Sequence, residues 1–396
     1  MSVEAASPVA VLTAFLRGGT VPLDWLTMAD NQAACVAAAQ AQGVAGLFCQ
    51  QLRHSSFAYL PAFVTELTRV ARAEVVIEHC HRLEVMRVLS ALHDAKVNTV
   101  IFKGTALAYT QYSHPSLRPR NDTDLLVKKE DWDQAAQVLH RLGYKRKDEI
   151  RGDVARNQGE FVRQEQCVRH VFDLHWQISD RPVFAAALDF EPLLQNAVEI
   201  PALGPVARTL APVHALLLAC MHRVRHYNAD LLMWLYDIHL LTEKLNEREV
   251  DEVVATAHRS KISEICDAGL RRAAEHFHTK IPDGLLDRLR PAGAAHGAEL
   301  SARYLVLPPW RARLLDLMTQ PDWTKRVRFI FELATSDRQY LLDRYQRTRS
   351  AWLPVLYARR LVWRARKLLR SGASPARDSG VAAGIGSRQA HMGQGN

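Results

Sequence analysis

Residues 97–128, VNTVIFKGTALAYTQYSHPSLRPRNDTDLLVK, decide how the rest of the chain reads. They read as an apolar strand over Thr99–Phe102, a Lys103-Gly104-Thr105 turn, a short helix, an Arg-containing loop, and a second strand carrying Asp122 and Asp124. Strand side chains alternate faces, so Asp122 and Asp124 share one face while Thr123 and Leu125 share the other. Two ionised carboxylates a few ångströms apart either raise one pKa or draw in a counter-charge, and hard divalent cations such as Mg2+ take oxygen ligands. A metal site is the natural resolution, although a DxD by itself is common on exposed edge strands. Upstream, Gly104 lets the backbone come close to a ligand, and the amides opening the next helix suit a phosphate. Lys103 and the Thr105 hydroxyl stand where they add contacts to the same anion.

A third acid, Asp173, lies in the β-rich run VRHVFDLHWQI at 168–178, after another strand-like segment over Glu160–Cys167, and fits a strand beside the first pair. With KGTAL at 103–107, Tyr112, LRPRNDTDLLV at 117–127 and FDLHW at 172–176, the chain resembles the nucleotidyltransferase superfamily of DNA polymerase β type. Within it, the likeness is to an uncharacterised bacterial group with a KG turn, an Arg-containing loop, DxDLLV and a later DLHW. It is close over 97–177 and looser over 25–350. The superfamily's turn is usually Gly-Ser or Gly-Gly, so Gly104-Thr105 departs by one methyl, and Thr123 stands where an apolar residue is usual.

The resemblance implies an α+β fold, with a small mixed β-sheet core and helices on one face. It implies two Mg2+ ions held by Asp122, Asp124 and Asp173, and transfer of a nucleoside monophosphate from an NTP such as ATP to a hydroxyl, with release of pyrophosphate. Lys103, Gly104, Thr105 and Arg118 then form the nucleotide-binding set, and Asp173 doubles as the base. Members of the group often sit among genes for surface polysaccharide production. A sugar, a small molecule and a protein hydroxyl all remain open as acceptors. The reading from a different class is a catalytically inactive nucleotide- or RNA-binding adaptor of the same fold.

The 396 residues, 48% of them apolar, can bury a substantial core, and Lys plus Arg exceed Asp plus Glu, 51 against 42. The basic balance favours acidic partners without choosing among nucleotides, nucleic acid and anionic lipid. Six scattered cysteines without a CxxC pair read as buried free thiols, and no leader-like or membrane-spanning apolar run is evident, so a cytoplasmic monomer is expected.

In chain order, residues 1–95 form a helical segment packed on the core. Its last helix is expected to bury Val70, Val75, Val76, Leu83, Val85, Val88, Leu89 and Leu92 against the sheet. His54, His79, His81 and His93 lack ligand spacing and read as surface or satisfied histidines. Residues 96–210 form the catalytic core, within which Arg163, Arg169 and His170 are expected to face solvent and Arg120 to be a solvated neighbour of Arg118. His175 reads equally as a partner of the acids or as packing beside Trp176. Residues 211–371 form a helical domain in which His222 and Asp237 are pocket candidates or buried polar pairs, and in which His222 and His226, four apart, share a helix face. Its end, from Trp310 to Arg370, interleaves many Arg and Lys with Trp and Tyr. Such a face serves contact with nucleic acid or with the periphery of the inner membrane, or it is a solvated surface whose long side chains cover an apolar stripe. Residues 372–396, rich in Gly, Ala and Ser, are expected to be disordered.

Overall fold

The computed structural model describes residues 7–18, 23–52, 60–147, 150, 152–166, 168–185, 187–225, 230–290, 299–345 and 350–371. His54, Cys167, His226 and the expected disordered tail at 372–396 lie outside the described residues. Four short helices come first: α1 (Pro8–Leu16), α2 (Leu23–Leu26), α3 (Ala29–Ala41) and α4 (Ala45–Leu52). They lead to the 34-residue α5 (Pro61–Asp94). Strand β1 (Val100–Phe102) runs directly into α6 (Lys103–Thr110), and after the Arg-containing loop come β2 (Thr123–Leu126) and α7 (Trp132–Arg141). The helix thus begins at Lys103 itself, where a turn is expected from sequence, and Lys103 takes a left-handed backbone, φ 54°.

Strands β3 (Lys145–Arg146), β4 (Gln158–Glu165) and β5 (Val168–His175) follow, then α8 (Pro182–Ala185) and α9 (Phe190–Gln195). The Pro/Gly-rich patch near Ile200 forms a small antiparallel pair, β6 (Val198–Glu199) and β7 (Arg208–Thr209). Among the described residues the sheet has seven strands in the order β3-β4-β5-β2-β1-β7-β6. It is mixed: β2 runs antiparallel to β1 and parallel to β5, while β7 extends the sheet alongside β1. This is the expected α+β class.

Helices cover both faces of the sheet, not one. Alternation along β1 sends Ile101, with Leu125 of β2 and Phe172 and Leu174 of β5, into a core under α5 and α7. Val100 and Phe102, with Leu126, face the opposite core, built with α10 (Pro212–Arg225), α12 (Glu247–Arg259) and α13 (Ser263–Phe277). A strand buried on both faces needs apolar residues at every position, which is what Val100-Ile101-Phe102 supplies. Asp124 belongs to the Leu126 phase, so it points toward the face roofed by the later helices.

Helix α11 (Leu232–Glu243) joins a third core with the front helices, through Leu232, Met233, Trp234 and Leu235 against Phe15, Phe48 and Phe63. The described residues close with α14 (Leu285–Leu289), α15 (Pro309–Met318), α16 (Trp323–Ala334), α17 (Arg338–Arg344) and α18 (Leu353–Ser371). Among the described residues no helix is long and apolar enough to cross a membrane.

Several buried positions differ from the sequence expectation. Val75, Val76 and Leu83 are exposed; the inward phase of α5 runs through Phe63, Leu67, Val70, His81, Val85, Val88 and Leu92. Between Val70 and His81 that phase is carried by Glu74 and Glu78, because α5 passes polar partners there. Glu78 accepts from Arg120 and from the Tyr109 hydroxyl, so Arg120 is buried and paired, not solvated. His170 is buried against His81, their Nδ1 atoms 3.3 Å apart, and Arg163 bridges to Glu84 at 2.8 Å. Both therefore pack under α5 instead of facing solvent. Of the cysteines described, Cys35, Cys49, Cys220 and Cys266 are buried free thiols and Cys80 is half-buried.

Candidate active site

Parallel pairing of β2 with β5 sets Asp124 opposite Asp173, and antiparallel pairing of β1 with β2 sets Phe102 opposite Asp124. The three sequence-singled acids therefore reach one cavity of about 320 Å3, whose lining includes Lys103, Gly104, Arg118, Asp122, Asp124 and Asp173. Because Lys103 follows Phe102 directly, its amine returns across the strand end to the acids. Lys103 Nζ lies 2.5 Å from Asp124 Oδ1, and His175 Nε2 lies 2.9 Å from the same oxygen. His175, two residues beyond Asp173 on the same strand face, is buried. Its contact is with Asp124, the partner reading left open by sequence.

Charge at the cluster is uneven. Burial pushes the Asp122 carboxyl up to about 6, with Asp124 adding repulsion. Burial raises Asp173 well above the ordinary carboxylate range, reinforced by Asp122 and Asp124. Burial works against the charge of Asp124 too, but Lys103 and His175 outweigh it and hold that carboxyl below the usual range. Burial, with Lys103 nearby, lowers His175 to about 4, so its imidazole is neutral at pH 7. One ionised acid beside two that resist ionisation is the pattern of carboxylates crowded together in a buried site, where an added positive charge would favour ionisation of all three.

The donor set fits a divalent cation. Asp173 Oδ2 accepts from Gln158 Nε2 at 2.8 Å, whereas its buried Oδ1 has no hydrogen-bond partner in the structure. Ligand atoms of Asp124, Asp173 and His175 lie within 4.8 Å of one another. Hard cations prefer oxygen, and the His175 nitrogen is engaged by Asp124. Within this group the carboxylates of Asp124 and Asp173 are the better donors, with His175 orienting Asp124, and Asp122 lines the same cavity.

Two residues of the expected nucleotide set are held differently from the sequence expectation. The Thr105 hydroxyl is fully buried, 3.1 Å from Thr123 Oγ1 and 3.4 Å from the Asp122 carbonyl oxygen. It ties α6 to β2 and does not reach the cavity. Arg118 is buried and forked onto Asp237 of α11, Nη2 to Oδ2 at 2.7 Å and Nε to Oδ1 at 2.9 Å, while the Tyr112 hydroxyl donates to Asp237 at 2.7 Å. Its remaining nitrogen, Nη1, lies over Gly104, 2.5 Å from where a Cβ would stand. Gly104 therefore admits the guanidinium of Arg118 close to the helix-opening backbone. Asp237, a pocket candidate or buried pair by sequence, is both.

The sequence matches the family model described as uncharacterised nucleotidyltransferase over residues 29–278, which is more than half of the chain. The chain belongs to this nucleotidyltransferase family. No curated protein matches it. In this family member, the matched span runs from α3 to the end of α13 and so contains the whole cavity lining. Sequence reasoning missed several of the nucleotidyltransferase cavity's walls. Gln158 sits one strand beyond Asp173. Arg225 reaches the cavity from α10, held by Asp180 at 2.8 Å. Glu78, outside the cavity lining, anchors Arg120 from α5. Glu74, which lines the cavity, and Glu78 left a trace, as acids in the inward phase of an otherwise apolar stripe. His222 also lines the nucleotidyltransferase cavity, edge-on to Trp234 with centroids 4.8 Å apart.

Proposed function

We propose that this chain transfers a nucleoside monophosphate from an NTP to a hydroxyl acceptor, in a reaction that depends on Mg2+. The observation that carries the reading is the meeting of Asp122, Asp124 and Asp173 with Lys103 and the amides opening α6, at the end of β1 and β2 and in one cavity. Its volume is within the range of small-molecule sites. Asp122, Asp124 and Asp173 would hold the cations, which supply charge neutralisation at the phosphate oxygens.

The chain's own groups have distinct tasks. Lys103, exchanging part of its contact with Asp124 for the nucleotide, and the free amides of the first turn of α6 bind the β- and γ-phosphates. Arg118, pre-oriented by Asp237 and Tyr112, presents Nη1 beside Gly104 to the charge that builds on the transferring phosphoryl group. The acceptor oxygen attacks the α-phosphorus, and the bond from that phosphorus to the bridging oxygen breaks. The bonding electrons leave with pyrophosphate, and the hydroxyl proton passes to Asp173, whose Oδ1 accepts no hydrogen bond within the protein. Sugars, small molecules and protein hydroxyls are the acceptors to screen.

The test is calorimetric titration of each NTP with and without Mg2+, alongside pyrophosphate release with labelled donor, for the native chain and for Asp122→Asn with Asp124→Asn. Metal-dependent binding that the double variant loses, with turnover reduced at least a thousandfold and unfolding still cooperative, is the expected result. Unchanged turnover by the variant would falsify the assignment. Mg-NTP binding without turnover across the acceptor screen would move the chain to the binding-only adaptor class.

A further inference from the structure

Helices α15 and α16 are built inside out for a water-facing surface. Along α15, Trp310, Leu314 and Met318 recur every four residues and are all exposed, Met318 to 63%. On α16, Trp323, Val327, Ile330 and Phe331 share one face at helical spacing, and Trp323 and Phe331 are 73% and 64% exposed. Nearby α18, packed against α15, adds exposed Val355 and Val362. Surface hydrophobics scattered singly are ordinary, but stripes at helical spacing on α15 and on α16, which pack against each other, mark an interaction face.

Polar clamps fix which way these helices face. On α15, Asp316 is buried and accepts from Arg181 Nη1 at 2.9 Å and from the Tyr304 hydroxyl at 2.7 Å. On α16, Glu332 is buried and accepts from the amides of Val154 and Ala155 at 3.2 and 2.8 Å. Rotating either helix to hide its apolar stripe would expose the clamp's core side and break the Arg181–Asp316 pair or the bonds of Glu332 to the Val154 and Ala155 amides. The apolar faces therefore stay outward.

Charge selects the occupant. Helices α15, α16 and α18 hold eleven Lys and Arg against two Asp and Glu, a net +9, which equals the net charge of the whole chain. The rest of the molecule is close to neutral, so the positive field is concentrated on these helices. We propose that α15, α16 and α18 form a docking face for an anionic lipid surface, with Trp323, Val327, Ile330 and Phe331 entering the headgroup boundary and flanking Arg and Lys meeting lipid phosphates. A second copy of the chain would bring like charge against like. Nucleic acid would leave the aliphatic Leu314, Met318, Val327 and Ile330 without a partner, since phosphates and bases reward cations and aromatic faces. Docking also orients the cavity, because Arg181 grips α15 while its neighbour Asp180 holds Arg225 in the cavity wall. The face lies beyond the 29–278 family match and so is a feature of this chain's C-terminal helices.

The test is flotation of the full chain with vesicles of phosphatidylcholine alone or mixed with phosphatidylglycerol, at low and high salt. Three proteins are compared: native, Val327→Asn with Phe331→Ser, and Arg311→Glu with Lys325→Glu. All four substituted side chains are exposed and outside the cavity lining, so unchanged Mg-NTP binding and unchanged thermal unfolding serve as the check on folding. The native chain floats with anionic vesicles at low salt and is released by salt or by omitting phosphatidylglycerol. Each variant partitions at least about tenfold more weakly, in line with the contribution of a few surface cations or buried apolar side chains. Absence of flotation with anionic vesicles at low salt overturns the proposal, as does flotation indifferent to the paired Val327→Asn and Phe331→Ser substitutions. So does sedimentation showing a dimer that the apolar variant dissolves, or tight, salt-sensitive RNA binding in its place.

Discussion

At Gly104 the first turn of α6 passes beneath the Arg118 guanidinium, and a Cβ there would stand 2.5 Å from Nη1. The arginine has little room to yield, since Asp237 grips it through two nitrogens and Tyr112 closes the far side of the same carboxylate. Gly104→Ala is therefore expected to displace Arg118 and loosen its pair with Asp237. The overpacking costs about 1–3 kcal/mol by analogy with other crowded cores. Denaturant unfolding measures that loss, and calorimetry with Mg-NTP should show weaker binding, because the arginine no longer faces the phosphates. A variant as stable and as tight-binding as the native chain would mean that the close approach has no energetic consequence. At the next position back, Lys103 holds a left-handed backbone that costs a non-glycine residue roughly 1–2 kcal/mol. That strain aims its amine at Asp124 and leaves the α6 amides open.

At the scale of the element, α5 shows how a functional demand interrupts a hydrophobic pattern. Its ends bury apolar side chains against the front helices and the sheet, while its middle turns Glu74 and Glu78 inward. Glu78 neutralises Arg120 and accepts from Tyr109, so Glu78→Ala leaves a nearly buried guanidinium without its carboxylate. A loss of about 3–5 kcal/mol is expected, the usual consequence of breaking a buried pair by removing one member. Val76→Ser, on the exposed side of the same helix two residues earlier, should stay within about 0.5 kcal/mol of native. Equal losses in the two variants, measured by chemical denaturation, would contradict the inward phase described for α5.

The whole molecule stores its electrostatic tension in the acid cluster. Asp122, with a folded-state pKa near 6, lies above the ordinary carboxylate value of about 3.9. A raised folded pKa contributes stability below the unfolded value, and that contribution is lost as pH rises through about 6. In the absence of a cation, ionisation of Asp122 and Asp173 should thus pull stability down between roughly pH 4 and 7. A divalent cation bound by the ionised acids reverses the sign of this term. Mg2+ should accordingly raise the melting temperature more at pH 7.5 than at pH 5, where it competes with protons. In Asp122→Asn the difference between the two pH values should shrink. A Mg2+ effect that is independent of pH in the native chain would show that these carboxylates are not where the ion binds.

The local order of strand, KG helix start, Arg-containing loop and DTDLLV followed by FDLHW was enough to specify the α+β core and the three acids, since each step depends on neighbours in sequence. Period-two alternation puts Asp122 with Asp124 and Asp173 with His175 without reference to anything distant. The long-range partners were not legible. Asp237 lies far along the chain from Arg118, Glu78 meets Arg120 from the preceding helix, and Asp316 takes Arg181 from 135 residues away in sequence. For such charges a sequence offers two equal fates, solvation or burial in a pair, and only packing decides between them because the cost of desolvation is met at one geometry alone. The same reason separates the two readings of the C-terminal helices. Their basic and apolar content was plain, but which face they turn outward depended on where Asp316 and Glu332 found buried donors. The amino-acid order therefore determined the strand pair and its acids, and the tertiary structure decided which charges line the cavity, which hold the fold, and which apolar faces stay outward.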